Sequence, residues 1–277
     1  MYDFYFGEPQ QVLEHDQDFL LTVKRMMPRW CNSIPDSEFM AIYNDLASSE
    51  IANPASTGVI IETGCGASTI VLAHFAFKFG KKLYTWDINQ NKLSYIKSII
   101  VDTIEKLFRR SVYEHWIPVP YVSTSQDLGL PILRELGQRV DFGFFDSEHT
   151  HAVLGPELDL ALELVNDGAV IALDDANYNF KFKNTAYINV MRKKLGLGPV
   201  ASDASNLGDS FCDMAYARIR QKFPASVKID DTYKKDYKND LFWQYFANDR
   251  NIMNNLEMEK LSQLEHRYDS FRIRFQA

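Results

Sequence analysis

The chain has 277 residues, 46% of them hydrophobic, enough to bury the core of one large domain or of one domain with an appendage. Its net charge of −7 argues against general nucleic-acid binding, which needs a basic face, while leaving room for a local basic patch. Cys31, Cys65 and Cys212 stand singly, with neither zinc spacing nor a disulfide framework, and the amino-terminal residues lack the basic-then-apolar order of a signal peptide. No uncharged run approaches the ~18 residues of a membrane helix, so no membrane partner is expected and the expected setting is reduced and cytoplasmic.

Residues 14–27 and 36–48 carry helical patterning, the second capped by Asp36 or Ser37. Residues 1–57 are therefore expected to form a helical lid or flank, ahead of a main domain over 58–277. That domain starts with a strand over 58–62, then a helix over 67–79 closed by Gly80. A second strand covers 82–86. The next helix, with Asn89 in position to cap it, places Leu93, Ile96, Ile100, Ile104 and Leu107 at helical spacing. A third strand lies within 116–123, and Val140 to Phe145 is a fourth, ending at Asp146. Pro156 is expected to start a helix whose inner face carries Leu158, Ala161, Leu162 and Val165. Ala169 to Leu173 is a fifth strand, ending at Asp174-Asp175. Strands alternate with helices, and a glycine or acidic loop follows each strand's carboxyl end. This is the pattern of a doubly wound, mostly parallel α/β sheet with a ligand crevice along one edge.

Beyond Lys183 the pattern weakens. A helix is expected over Asn184–Leu195, broken by Gly196 and Gly198, and strands over Phe211–Ile219 and Ser270–Phe275. The tract from Lys228 to Asn255 is rich in Tyr, Lys, Asp and Asn. With Tyr233, Tyr237, Phe242, Trp243, Tyr245 and Phe246 it is too aromatic for a disordered tail. It reads as an insertion, about 220–265, that either caps a substrate or forms a contact between copies of the chain.

Residues 59–69 carry the densest signal. An apolar strand ends in Glu62, turns through Gly64 and Gly66, and passes at once into an apolar helix. Glycines there let the backbone approach a ligand that a Cβ would block. A dinucleotide fingerprint needs a third glycine where Thr69 stands, and a phosphate-binding loop needs Gly-Lys-Ser/Thr, which is absent. Asp87 ends the second strand about 20 residues later, where a doubly wound fold places the carboxylate that grips ribose hydroxyls. Ser68 opens the following helix, where it can serve as the cap or meet an anion drawn by the helix dipole.

A second constellation follows the fourth and fifth strands, in Asp146-Ser147-Glu148-His149-Thr150-His151 and Asp174-Asp175-Ala176-Asn177. Adjacent strands lie ~5 Å apart, so these acids can converge. Converging carboxylates repel unless a cation joins them, and oxygen ligands favour a hard ion, Mg²⁺ first. The candidate ligands are Asp146, Asp174 and Asp175, with Asp175 and Glu148 the acids best placed to cap turns instead.

The acid-x-Gly-x-Gly-x-Ser loop resembles motif I of the class I S-adenosylmethionine (SAM) methyltransferases. The resemblance implies their Rossmann-like fold. It also implies SAM contacts at Glu62, which would face the ligand's amino end, and at Gly64, Gly66, Ser68 and Asp87. In similar methyltransferases the loop after the third strand reaches the adenine, which here makes Ser125 and Gln126 the candidates. Over 58–177 the chain is similar to the metal-dependent small-molecule O-methyltransferases. Asp-x-x-His followed by Asp-Asp matches the macrocin-type sugar branch more closely than the catechol type, which has Asn where Asp175 stands. That branch implies a small-molecule hydroxyl acceptor, a sugar or glycosylated natural product first, and a histidine base. His149 is the first choice and His151 the second, while His74 on an apolar helix face reads as structural. Two rival readings share the fold: a hydroxylase of antibiotic biosynthesis, and a non-catalytic SAM-binding or scaffold protein.

Overall fold

The computed structural model describes residues 8–121, 129–148, 150–174, 176, 193, 196, 198, 210–229 and 268–276. Five parallel strands build its centre: β1 (Val59–Thr63), β2 (Leu83–Trp86), β3 (Trp116–Val119), β4 (Val140–Phe145) and β5 (Val165–Leu173). Two short strands complete the sheet, β6 (Val227–Lys228) and β7 (Asp269–Arg272), with β7 antiparallel to both β5 and β6. The order across the sheet is β3-β2-β1-β4-β5-β7-β6. The order reverses at β1, whose neighbours are β2 and β4. A doubly wound sheet opens its ligand crevice at such a switch, beyond the strands' carboxyl ends.

Alternation along the strands divides the core into two layers. Ile60, Phe142, Phe144, Val170 and Ala172 face one side, where they meet the amino-terminal helices. Val59, Ile61, Tyr84, Trp86, Phe145, Ile171 and Leu173 face the other. On the first side, α1 (Pro9–Glu14), α2 (Asp16–Met26) and α3 (Asp36–Ala47) precede the sheet. Helix α4 (Ala67–Phe79) lies between them and the strands, and is buried on every face from Ala67 to Phe77. An all-round apolar helix needs such cover. Gly80 ends it in the left-handed conformation at φ 66°, as expected.

The helix expected after Asp87 is α5 (Gln90–Ile100), capped by the Asn89 side chain and continued through a π turn at Val101–Glu105. All five of its expected apolar positions are buried. Three local readings need correction. Pro35, not Asp36 or Ser37, precedes α3, and Asp36 instead pairs with Lys24 (2.8 Å) and Arg25 (2.7 Å). Helix α6 (His151–Leu164) begins five residues before Pro156, which sits exposed inside it, and Val165 belongs to β5. Residues 211–222 form a helix, α7 (Phe211–Lys222), not a strand. Ser210 and Asp213 make its capping box, and Phe211, Cys212, Ala215 and Ile219 line its buried face. The helix expected over 184–195 and the tract from 230 to 255 lie outside the described residues.

Candidate active site

The glycine loop is shaped by its neighbours as much as by any ligand. Gly64 has φ 88°, and a Cβ there would fall 1.8 Å from the Asp146 carbonyl oxygen. Only glycine lets β1 pass this close to the end of β4. At Gly66 a Cβ would meet the Cys31 carbonyl oxygen at 3.4 Å and the Lys92 Nζ at 3.9 Å. The amino-terminal segment thus walls one side of the loop.

Glu62 does not face the crevice. It is fully buried, and its two oxygens are occupied from beneath the loop. Ser68 Oγ donates to Oε1 at 2.6 Å, while Thr69 Oγ1 and Thr85 Oγ1 donate to Oε2 at 2.8 and 2.9 Å. Thr69 Oγ1 in turn accepts the Gly66 N–H at 2.9 Å, and Thr85 Oγ1 accepts the Trp116 Nε1–H at 3.0 Å. Burial pushes the Glu62 carboxyl up to about 8; the three hydroxyl bonds oppose this and the Asp146 charge adds to it. Glu62 and Ser68, both expected to touch the ligand, are held by partners within the protein. They bond each other in a hydroxyl cage that fixes the loop's floor, with Thr69 and Thr85 as members the sequence pattern did not reveal.

The Asp87 carboxylate, expected to grip ribose hydroxyls, has two backbone partners: Cys65 N–H donates to Oδ2 at 2.8 Å and Asn89 N–H to Oδ1 at 2.7 Å. These bonds aim it across the mouth of the loop and leave further lone pairs for a ligand. Lys92, in the first turn of α5, places Nζ 3.7 Å from Oδ2. Beside Asp87, Ile88 and Tyr121 expose apolar surface at the ends of β2 and β3.

The second constellation is partly assembled. Phe145 and Leu173 are register partners, so Asp146 and Asp174 follow neighbouring strands at the same level. Asp146 N–H donates to the Thr63 carbonyl at 2.7 Å and Asp174 N–H to the Phe145 carbonyl at 3.1 Å, which ties both to the sheet edge beside the glycine loop. Glu157, fully buried on α6, accepts from Thr63 Oγ1 (3.1 Å) and Ser147 Oγ (2.7 Å), bracing the loop after Asp146. Its signal in the sequence was an acid on the apolar face between Leu154 and Leu158. His151 packs its ring on Phe211, centroids 5.1 Å apart. His74 is structural as read, its Nε2 2.9 Å from Asp16 Oδ2. Ser125, Gln126, His149 and Asp175 lie outside the described residues. Among the described residues no group of three or more His, Cys, Asp or Glu side chains could hold a metal.

Residues 61–176, from the glycine loop through the acids after β5, match a family model described as a methyltransferase domain. That segment of the chain is thus similar to a methyltransferase domain. No curated protein matches the chain's sequence. Among solved structures, the chain is similar to an O-methyltransferase of tomaymycin synthesis from Streptomyces achromogenes in complex with SAM. The TM-score is 0.47 at 14% identity, over 94% of this chain and 89% of that one. It is also similar to an O-methyltransferase from Bacillus cereus in complex with SAH, with a TM-score of 0.42 at 15% identity, over 83% and 92% of the two chains. A TDP-rhamnose 3′-O-methyltransferase of calicheamicin biosynthesis gives 0.43 at 13% identity, over 65% and 83%.

The residues present fit SAM. Gly66 offers backbone without a side chain, and Asp87 offers a carboxylate held in place by two backbone donors. Among the described residues no helix is long and apolar enough to cross a membrane.

Proposed function

We propose that the protein is a SAM-dependent methyltransferase that methylates a hydroxyl group of a small molecule, with the donor over the glycine loop and the acceptor at the ends of β4 and β5. The observation that carries this reading is the shared level of Asp146 and Asp174 beside Gly64, whose backbone touches that of Asp146. Donor and acceptor groups thereby meet on one sheet edge. Methyl transfer is an in-line displacement, so most of the catalysis lies in holding oxygen, methyl carbon and sulfur in line.

SAM supplies the methyl group. Asp87 would hold the ribose hydroxyls, with the apolar faces of Ile88 and Tyr121 available to its base. Ser125 and Gln126 are retained as further adenine contacts. Glu62, Ser68, Thr69 and Thr85 keep the loop in shape. An alcohol must lose its proton as it attacks, and His149 is the proposed base, its ordinary pKa lying near working pH. Asp146, Asp174 and Asp175 would supply all-oxygen ligands of the kind that suits Mg²⁺, which when bound would lower the pKa of the hydroxyl. Asp146 and Asp174 orient the acceptor, and Glu157 steadies the segment that carries Ser147. The Asp-x-x-His and Asp-Asp motifs favour a sugar or glycosylated natural product as acceptor.

The test is methyl transfer from labelled SAM to a panel of glycosylated and phenolic hydroxyl acceptors, with and without chelator. Asp174→Ala should remove the response to added Mg²⁺ and leave SAM binding within about twofold. Full activity of Asp174→Ala in chelator would overturn the metal assignment.

A further inference from the structure

Lys92 has no part in the reading above, yet it occupies the centre of the donor crevice. It stands in the first turn of α5, five residues past Asp87, and its side chain reaches back over the glycine loop. Nζ lies 3.7 Å from Asp87 Oδ2 and 3.9 Å from where a Cβ of Gly66 would sit. Any ligand that touches both the Gly66 backbone and the Asp87 carboxylate must pass through the space this ammonium fills.

The surroundings explain why it rests there. Burial alone lowers the ammonium's pKa, but the charges of Asp87 and then Asp146 oppose it, and it is left raised. Lys92 is the cation that the chain itself supplies to Asp87 and Asp146. The Cys31 thiol feels the same positive charge, which lowers its pKa, although burial dominates and leaves the thiol raised.

The way Asp87 is held shows which partner can leave. Its bonds from Cys65 N–H and Asn89 N–H are 2.8 and 2.7 Å long and come from backbone. The contact with Lys92 is a Coulombic pair at 3.7 Å, too long for a hydrogen bond. The Lys92 side chain is 23% exposed, so a path to solvent is open to its flexible stem.

We propose that Lys92 is a displaceable counter-ion of the donor crevice: it neutralises Asp87 in the empty protein, and every ligand of the crevice must evict it. The proposal rests on the reading of this crevice as the SAM site. It makes Lys92 a residue that weakens cofactor affinity, and so sets how readily donor and product exchange. A long ion pair that still reaches solvent is worth up to about 1 kcal/mol, which corresponds to roughly fivefold in affinity.

The experiment is calorimetric titration of SAM, and separately of S-adenosylhomocysteine, into the wild type, Lys92→Met and Lys92→Arg. Melting temperatures are recorded with and without ligand. Lys92→Met should bind both ligands about three- to tenfold more tightly, because both must displace the ammonium. Its empty form should melt lower and gain more on saturation than the wild type does. Lys92→Arg, which keeps the charge, should stay close to wild type. Weaker binding by Lys92→Met would show that Lys92 holds the ligand, and unchanged binding that it is a bystander. Tightening for SAM alone would show a retained charge repelling the sulfonium. Each of these three results overturns the proposal while leaving the SAM site standing. No binding of SAM to the wild type would remove both.

Discussion

Glu62→Gln tests the cage beneath the glycine loop. The substitution replaces a buried carboxyl with a neutral group of the same shape. Thr69 and Thr85 each accept an N–H, from Gly66 and Trp116, and point their own protons at Glu62 Oε2. A glutamine carbonyl oxygen can take that place and keep both bonds. Its amide then faces Ser68, whose hydroxyl can turn to accept. The variant should therefore fold. Its pH dependence should change, because burial raises the native carboxyl from 4.5 to about 8. Between those values the folded protein holds a proton that the unfolded chain lacks. The stability this group contributes is complete below the lower value and is lost as pH rises through the upper one. The limiting slope is ~1.4 kcal/mol per pH unit. Urea unfolding of both proteins between about pH 5.5 and 8.5 reads the difference. The variant should gain on the wild type by roughly 2–4 kcal/mol across that range. Parallel profiles would refute the reasoning, since they would mean the three hydroxyls keep Glu62 ionised in the fold.

Other predictions concern the supports of the crevice. Asp16 is buried and accepts from Tyr43 (2.6 Å), Lys78 (2.7 Å) and His74 (2.9 Å), tying α2 to α3 and α4. Burial opposes its charge, but the bonds from His74, Lys78 and Tyr43 prevail and hold the carboxyl well below the usual range. Its contribution is full above its ordinary pKa of 3.8 and is lost as pH falls through the lower folded value. At neutral pH, Asp16→Ala should cost about 3 kcal/mol in denaturant unfolding. Gly64→Ala forces a methyl group into the Asp146 carbonyl at a positive φ and should cost more than about 3 kcal/mol, measured by the fall in melting temperature.

Legibility in the sequence followed the physics of each element. Strands β1, β2 and β4 were readable because each is a short apolar run bounded by a turn and buried on both faces, whereas the edge strand β3, half-buried beyond Trp116, was placed only within 116–123. The α5 stripe was readable because its five apolar positions keep helical spacing. Helix α7 was mistaken for a strand because its apolar residues are few. The decisive clue was the Ser210–Asp213 capping box, which was passed over. Pro156 suggested a helix start, yet α6 tolerates it exposed in its second turn, so the rule that proline opens helices misplaced the boundary. At the site, residue types were legible and their directions were not. Glu62 and Ser68 were chosen by position in the motif. In the fold they turn to each other, because an acid at the end of a fully buried strand needs donors from its own neighbourhood. Asp87 was located by spacing, but its backbone bonds depend on how the β1 loop meets β2. Lys92 looked like any lysine on a helix, since only the fold brings its ammonium over Gly66.

The central claim is that the crevice between Gly66 and Asp87 binds SAM. Calorimetric titration of SAM into the wild type and Asp87→Ala, each first shown to be folded by its melting curve, tests it most directly. The account predicts saturable binding to the wild type and at least about tenfold weaker binding to Asp87→Ala, the loss expected for charge-assisted hydrogen bonds. Absence of binding to the folded wild type at millimolar SAM, or equal affinity of the two proteins, would contradict it.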